Sequence, residues 1–261
     1  MNPNAPLVDP LVDPLAHDPV KLARFGRLWR LTVIDAFDVT PRMRRVRLTA
    51  DELTEFKPLV AQELVFQIPG SGPEPLRRHY TIRRYDSQTG IIEVDFVMHA
   101  HAGPGAAWAQ GARGGDTINV RGPRGRIRYA AGADWHLYTG DESALPAISA
   151  LLEAMPVGSN AIALLEVGND ADVMLLPTAA RLETEWHQRG SAPPGPSQIL
   201  LSALEARQLP PGKGHAYLIG ETSNVRAQRH ALLARGFDKS QVWSEGYWRP
   251  GRIGGHDHID D

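Results

Sequence analysis

Residues 135–168 read WHLYTGDESALPAISALLEAMPVGSNAIALLEVG. WHLYTG is an apolar run that ends in glycine, and SALPAISALLEAM continues with helical spacing over about three turns. AIALLEVG, at 161–168, is apolar almost throughout. Short continuous apolar runs bounded by turn residues are what strands covered on both faces look like. Strand–helix–strand order then sets such strands in parallel. The rhythm returns at HAYLIGETSNVRAQRHALLARG (215–236), and QVWSEGYW (241–248) closes as a strand. Between them, 172–198 is polar and proline-rich, with PTAARLETEWHQ reading as a helix. The C-terminal half is therefore α/β, with a mostly parallel sheet and helices on both faces.

Towards the N-terminus the rhythm is different. RLWRLTVIDAFDV, RMRRVRLTA, ELVFQIPG, HYTIRRY, GIIEVDFVMHA and DTINVRGPRG are short β-rich segments separated by turn signals such as Thr40-Pro41, Pro69-Gly70 and Gly114-Gly115. Six strands at this spacing predict a small antiparallel barrel or sandwich, with GPGAAWAQGA (103–112) as its one helix. Residues 1–20 hold five prolines and a tandem Leu-Val-Asp-Pro, which suits a mobile, disordered lead-in. The expected organisation is a lead-in at 1–20, a β-barrel domain at 21–131, an α/β domain at 132–252 and a flexible tail at 253–261.

Composition narrows the chemistry. The 28 Lys+Arg against 30 Asp+Glu give a formal charge of −2, with no basic excess for nucleic acid or a membrane surface. Absence of cysteine excludes disulfides, thiolate metal sites, Fe–S clusters and thiol nucleophiles. No apolar run approaches the roughly 18 residues of a membrane span, and no signal-peptide pattern is visible. A cytoplasmic monomer is expected.

Five segments carry candidate chemistry. Arg78-His79-Tyr80-Thr81-Ile82-Arg83-Arg84 combines cations, an aromatic ring and a hydroxyl on one strand. Either it is a solvated basic strand, or an arginine holds a pyrophosphate while the ring covers a planar cofactor and the hydroxyl bonds its edge. Val97 to Trp108 runs from a strand through Gly103-Pro104-Gly105 into Ala106, Ala107 and Trp108. Such a turn is either a tight barrel corner or a phosphate cradle. Thr139-Gly140-Asp141-Glu142-Ser143-Ala144 opens the α/β half without the G-x-G-x-x-G fingerprint. Ile219-Gly220-Glu221-Thr222-Ser223 and Glu245-Gly246-Tyr247-Trp248-Arg249 complete the set. His99 with His101, and His256 with His258, are too few for a metal site. Ser143 has no His/Asp relay for hydrolase chemistry.

In this order the five segments resemble the siderophore-interacting proteins, a branch of the ferredoxin-reductase-like flavoproteins, from 27 to 252. The resemblance implies an N-terminal FAD-binding barrel and a C-terminal NAD(P)H-binding domain. It also implies an FAD-dependent NAD(P)H:ferric-siderophore oxidoreductase that releases Fe(II) inside the cell. On that resemblance Arg78 holds the FAD pyrophosphate, Tyr80 lies on the isoalloxazine, and Thr81 bonds near its redox edge. Ile82, Arg83, Val97 and His99 line the flavin pocket, and Gly103, Ala106, Ala107 and Trp108 cradle phosphate and adenine. Gly140, Asp141, Glu142, Ser143, Ala144, Gly220 and Glu221 line the nicotinamide cleft, and Tyr247 and Trp248 close it. A general flavin or ferric-chelate reductase, or a flavin-bound carrier of ferric chelates without turnover, are the alternatives.

Two departures bear on substrate and donor. Glu63 and Trp243 stand where the family carries basic residues, which predicts weak steering of anionic ferric siderophores and leaves Arg84, Arg249, Arg252 and Lys57 as substitutes. At the end of AIALLEVG, Glu166 lies where an acid bonds the adenosine ribose in dinucleotide-binding folds. No Lys or Arg follows until Arg181. Like charges about 4 Å apart repel by about 4 kcal/mol at an effective dielectric near 20. NADH is therefore expected over NADPH or reduced ferredoxin.

Overall fold

The computed structural model describes residues 25–99, 103–252 and 257–259, together with Asp13, Leu15, Asp18, Val20 and Lys21. Most of the expected lead-in, part of the expected tail, and His101 and His256 lie outside the described residues.

The six N-terminal strands are β1 (Arg27–Thr40), β2 (Met43–Thr49), β3 (Glu63–Ile68), β4 (Leu76–Asp86), β5 (Ile91–Val97) and β6 (Thr117–Arg124). They close into an antiparallel barrel of order β1-β2-β5-β4-β3-β6, so the barrel alternative holds and the sandwich does not. Leu31, Leu48, Phe66, Phe96 and Val120 fill its interior. Helix α1 (Pro104–Gly111) follows β5, as its small residues suggest.

The second sheet contains β7 (Trp135–Gly140), β8 (Asn160–Val167), β9 (Arg181–Gln188), β10 (Gly214–Glu221), β11 (Val242–Trp248) and β12 (Asp257–His258). Its order is β12-β11-β10-β7-β8-β9, and every pairing is parallel except β11 with β12. Each apolar strand splits its residues between two faces. On β8, Ala161, Ala163, Leu165 and Val167 face α2 (Leu145–Glu153), whereas Ile162 and Leu164 face α3 (Ile199–Ala206) and α4 (Thr222–Ala234). Burial on both faces is why these runs read as uniformly apolar. No helix among the described residues is long and apolar enough to cross a membrane.

One expected helix is a strand. Residues 181–188 of PTAARLETEWHQ pair in parallel with β8, from Asn160↔Arg181 to Val167↔Gln188. Leu182 and Trp186 pack on the core, while Glu183 and Glu185 both bond Arg207. Residues two apart share a face only in a strand, so sheet pairing overrides the helix propensity of Ala, Leu and Glu. The helix of this region is α3, in ILLSALEA.

Barrel and sheet are tied directly. Arg83 on β4 donates to Glu153 of α2 at 2.6 Å, and Arg42 in the β1–β2 turn bonds the buried Asp172. Met43 at the start of β2 joins the core cluster formed by α2 and the sheet.

Candidate functional site

The chain leaves β7 through α2 to β8 and β9, then returns to β10 on the other side of β7. Ligands of open α/β sheets bind outside the carboxyl ends of the strands at such a switch. A cavity of about 700 Å³ lies there, bounded on its other side by the barrel.

The barrel wall is made by β4 and by the chain leaving β5. Arg78, Tyr80 and Thr81 line the cavity, together with Val97, His99, Gly103 and Ala106. Arg78 is half-buried and donates to the Arg77 carbonyl at 2.8 Å; among the described residues it has no carboxylate partner. Several arginines on other barrel strands differ: Arg45 is held by Asp95 and Glu93, Arg44 by Asp38, and Arg121 by Asp13. A guanidinium at a cavity wall without a carboxylate is set to accept a phosphate bidentately. Helix α1 points its N-terminus at the same wall. Gly103 is its N-cap, no side chain bonds the first turn, and Pro104 occupies the first position. Its leading N–H groups therefore remain as anion donors.

Tyr80 stands between these parts. Its ring lies 4.1 Å from Phe96 and 5.4 Å from Phe66, centroid to centroid, and burial pushes its phenol up to about 12. A Cβ on residue 105 would lie 1.9 Å from the Tyr80 hydroxyl, so only glycine lets α1 close on the barrel here. Thr81 bonds the Tyr247 hydroxyl, whose pKa is raised by burial and by Glu245 and Glu63. His99 has its pKa lowered by desolvation, against the attraction of Glu142. An arginine without an acid, an uncapped helix N-terminus, an aromatic ring and a hydroxyl fit a flavin dinucleotide: charge for the pyrophosphate, and a flat wall with one polar edge for the ring system.

The opposite wall is the turn after β7. Asp141 Oδ1 accepts from the Ser143 backbone N–H at 2.9 Å and from its hydroxyl. Oδ2 accepts from the Glu221 N–H and the Trp248 indole N–H, each at 2.9 Å. Burial nevertheless holds this carboxyl up at about 6. The hub binds β7, β10 and β11 together and fixes Trp248 at the cavity edge. Gly220 keeps φ at +137°, and a Cβ there would meet Asp141 at 2.8 Å.

Other expected residues lie elsewhere. Ile82 belongs to the barrel core, Arg83 is engaged by Glu153, and Trp108 packs on Phe66 and Phe96. Gly140, Ala144, Gly220 and Glu221 are buried beneath the cavity floor, with the Glu221 carboxylate capping α4 through the Asn224 N–H. Ala107 is exposed but does not face the cavity. Of the expected substrate arginines only Arg249 reaches the cavity. Arg252 bonds Asp257, and Arg84 borders a separate groove beside Leu59 and Val60.

Glu166 and Trp243 sit differently from what the charge expectations assumed. Glu166 is 2% exposed; its Oε1 accepts from Arg189 at 3.2 Å and its Oε2 from the Ser197 hydroxyl at 2.9 Å. It neither offers a free carboxylate to a ribose nor lacks a cation. Trp243 is half-buried against the core of the second sheet rather than at the cavity. Glu63 does line the cavity, but His79 at 2.8 Å and Arg124 at 3.1 Å hold its charge. Gly105, in the expected 103–108 turn, lines the cavity; Pro193 and Pro194 line it too, and the sequence carries no local sign of them.

Known proteins bear on these observations. Residues 58–127 match the siderophore-interacting FAD-binding domain, and residues 133–251 match the siderophore-interacting protein family. The chain is 32% identical over 182 residues to the ferric vibriobactin reductase ViuB of Vibrio cholerae, covering 69% of this chain and 66% of that protein. A siderophore utilization protein from T. fusca superposes with a TM-score of 0.82 at 30% identity, over 89% of this chain and 96% of the other. The ferredoxin-NADP+ reductase of Plasmodium falciparum shares the fold, with a TM-score of 0.67 at 13% identity over 85% and 97% of the two chains. A closed barrel and a mostly parallel sheet that meet at a cavity with flavin-type donors, together with these likenesses, make the chain a member of the siderophore-interacting protein family.

Proposed function

We propose that the protein is an FAD-dependent reductase that converts the Fe(III) of a ferric siderophore to Fe(II) in the cytoplasm, with a reduced nicotinamide as electron donor. On this reading the chain divides near residue 131 into an FAD-binding half and a donor-binding half. The observation that carries it is the combination of Arg78 with the uncapped start of α1 on one wall of the cavity: among the described residues no carboxylate neutralises Arg78 and no side chain caps the helix, and both suit a pyrophosphate.

FAD bound there would supply exchange between a two-electron donor and one-electron acceptors, the chemistry that reduction of Fe(III) calls for. The chain's own residues bind, orient and exclude water. Arg78 and the N–H groups of Gly105 and Ala106 would hold the pyrophosphate. Tyr80, fixed by Phe66 and Phe96, gives the ring system a rigid wall. The Thr81–Tyr247 pair presents hydroxyl groups to a polar ring edge, and Trp248, fixed by Asp141, excludes water from the far side. Arg249, exposed at the rim, is the cation that meets an anionic iron complex.

The test is Fe(II) release into a ferrous chelator from FAD-loaded protein, a ferric siderophore and NADH. Turnover that disappears without FAD supports the reading. A protein that retains FAD yet yields no Fe(II) with any reductant leaves only a carrier.

A further inference from the structure

Segment 189–197 follows β9 and crosses the carboxyl ends of the sheet's central strands. At one end, Arg189 and Gly190 donate their backbone N–H groups to the Val167 and Gly168 carbonyls, each at 2.9 Å. The Arg189 guanidinium then grips Glu142, after β7, at 2.6 and 2.9 Å and Glu166, near the end of β8, at 3.2 Å. In the middle, Pro193 and Pro194 form part of the cavity wall near Glu142 and Ser143. At the other end, the Ser197 hydroxyl bonds Glu166 at 2.9 Å and its N–H bonds the Asn224 side chain at 2.8 Å, while Asn224 returns a bond to the Gly195 carbonyl at 3.3 Å. Asn224 lies in the first turn of α4, directly after β10. The segment is a strap over the ends of β8, β7 and β10.

Dinucleotide-binding sheets receive the adenosine half of the ligand at the end of the second strand, where an acid takes the ribose. Here the acid at that place is Glu166, and the strap's Ser197 and Arg189 already fill both of its oxygens. We propose that the strap is a donor-specificity element: it occupies the adenosine–ribose subsite, so the protein takes a nicotinamide donor through its reacting half alone. The inference rests on the proposed nicotinamide donor and adds which part of that donor the protein recognises. Remote, non-reacting parts of a substrate normally supply binding that raises kcat/KM. A strapped cleft forgoes that contribution, and it also removes discrimination between NADH and NADPH, which differ only in the adenosine half.

The test uses FAD-loaded full-length protein and ADP-ribose, the non-reacting part of NADH, as a calorimetric probe. Wild type is expected to bind ADP-ribose no more tightly than about 1 mM. Ser197→Ala/Asn224→Ala, which unlatches the strap, and Pro193→Gly/Pro194→Gly, which loosens its middle, are each expected to tighten binding by about tenfold or more. Flavin bleaching gives a second readout: reduced nicotinamide mononucleotide and NADH are expected to have kcat/KM values within about threefold of each other in wild type, with NADH alone gaining in the variants. Micromolar binding of ADP-ribose by wild type, or no gain in either folded variant, overturns the proposal. Loss of the reductase reading itself shows separately, as no Fe(II) from dithionite-reduced protein whatever the ADP-ribose result.

Discussion

The two walls of the cavity handle charge in opposite ways. On the barrel side, Arg78 and the start of α1 leave donors unused by the protein. On the sheet side, the same fold logic that invites a ligand has been answered internally: Glu142, Arg189 and Glu166 satisfy one another, and Ser197 completes Glu166. Position at a switch point is thus not sufficient to make a binding site. What distinguishes the walls is whether polar groups are already spoken for.

The largest test of this contrast removes Arg189. Losing the cation between two buried carboxylates leaves uncompensated charge, so Arg189→Leu is expected to cost about 3–5 kcal/mol in urea unfolding. Adding Glu142→Gln and Glu166→Gln should recover a good part of it. An Arg189→Leu protein as stable as wild type would mean that the triad holds nothing together.

Arg78→Ala sharpens the other side. Loss of one charge-assisted contact is worth about 1.5–3 kcal/mol, so FAD affinity should fall by about ten- to a hundredfold. Stability of the FAD-free protein should change by less than about 0.5 kcal/mol, because the side chain's bond to the neighbouring Arg77 carbonyl is local and exposed. Unchanged flavin retention would remove the phosphate role. Gly105→Ala should act through shape, costing about 1–3 kcal/mol as the new methyl displaces Tyr80 from between Phe66 and Phe96, with flavin retention falling in step.

Much of this was legible beforehand, and the exceptions share a cause. The barrel strands are bracketed by local turn residues, and the apolar runs of β7, β8 and β10 announce a sheet covered on both faces. Arg78, Tyr80, Thr81 and Asp141 come with neighbours that suggest their chemistry. Glu166 was misjudged because its partners, Arg189 and Ser197, lie 23 and 31 residues away. They lie in the Gly/Pro-rich segment 189–197 that follows β9, and β9 itself comes from a stretch whose Ala, Leu and Glu content resembles helix and whose pairing is purely tertiary. Trp243, which stands where the resemblance implies a basic residue, is placed by the strand's packing against the core.

The smallest effects are in pH. His136 is 1% exposed with neither ring nitrogen bonded, and burial lowers its pKa to about 4. With the folded value depressed below the unfolded value near 6.5, its contribution is full above about 6.5 and is lost as pH falls towards 4. Asp141 has the opposite sign: raised to about 6, it contributes stability that is full below about 4 and lost as pH rises through 6. His136→Phe should therefore gain stability relative to wild type on the acid side, by on the order of 1 kcal/mol at pH 5. An unchanged pH profile in that variant would show that His136 is not held neutral.

The most direct measurement is an anaerobic single turnover. FAD-loaded protein is reduced with one equivalent of dithionite, mixed with a ferric siderophore, and followed by flavin absorbance and a ferrous chelator together. The account predicts recovery of the oxidised flavin spectrum with about two Fe(II) formed per flavin, and proportionate loss of both signals in Arg78→Ala as its FAD content falls. Flavin that stays reduced in the presence of the ferric complex, or Fe(II) formed equally well without FAD, would contradict it.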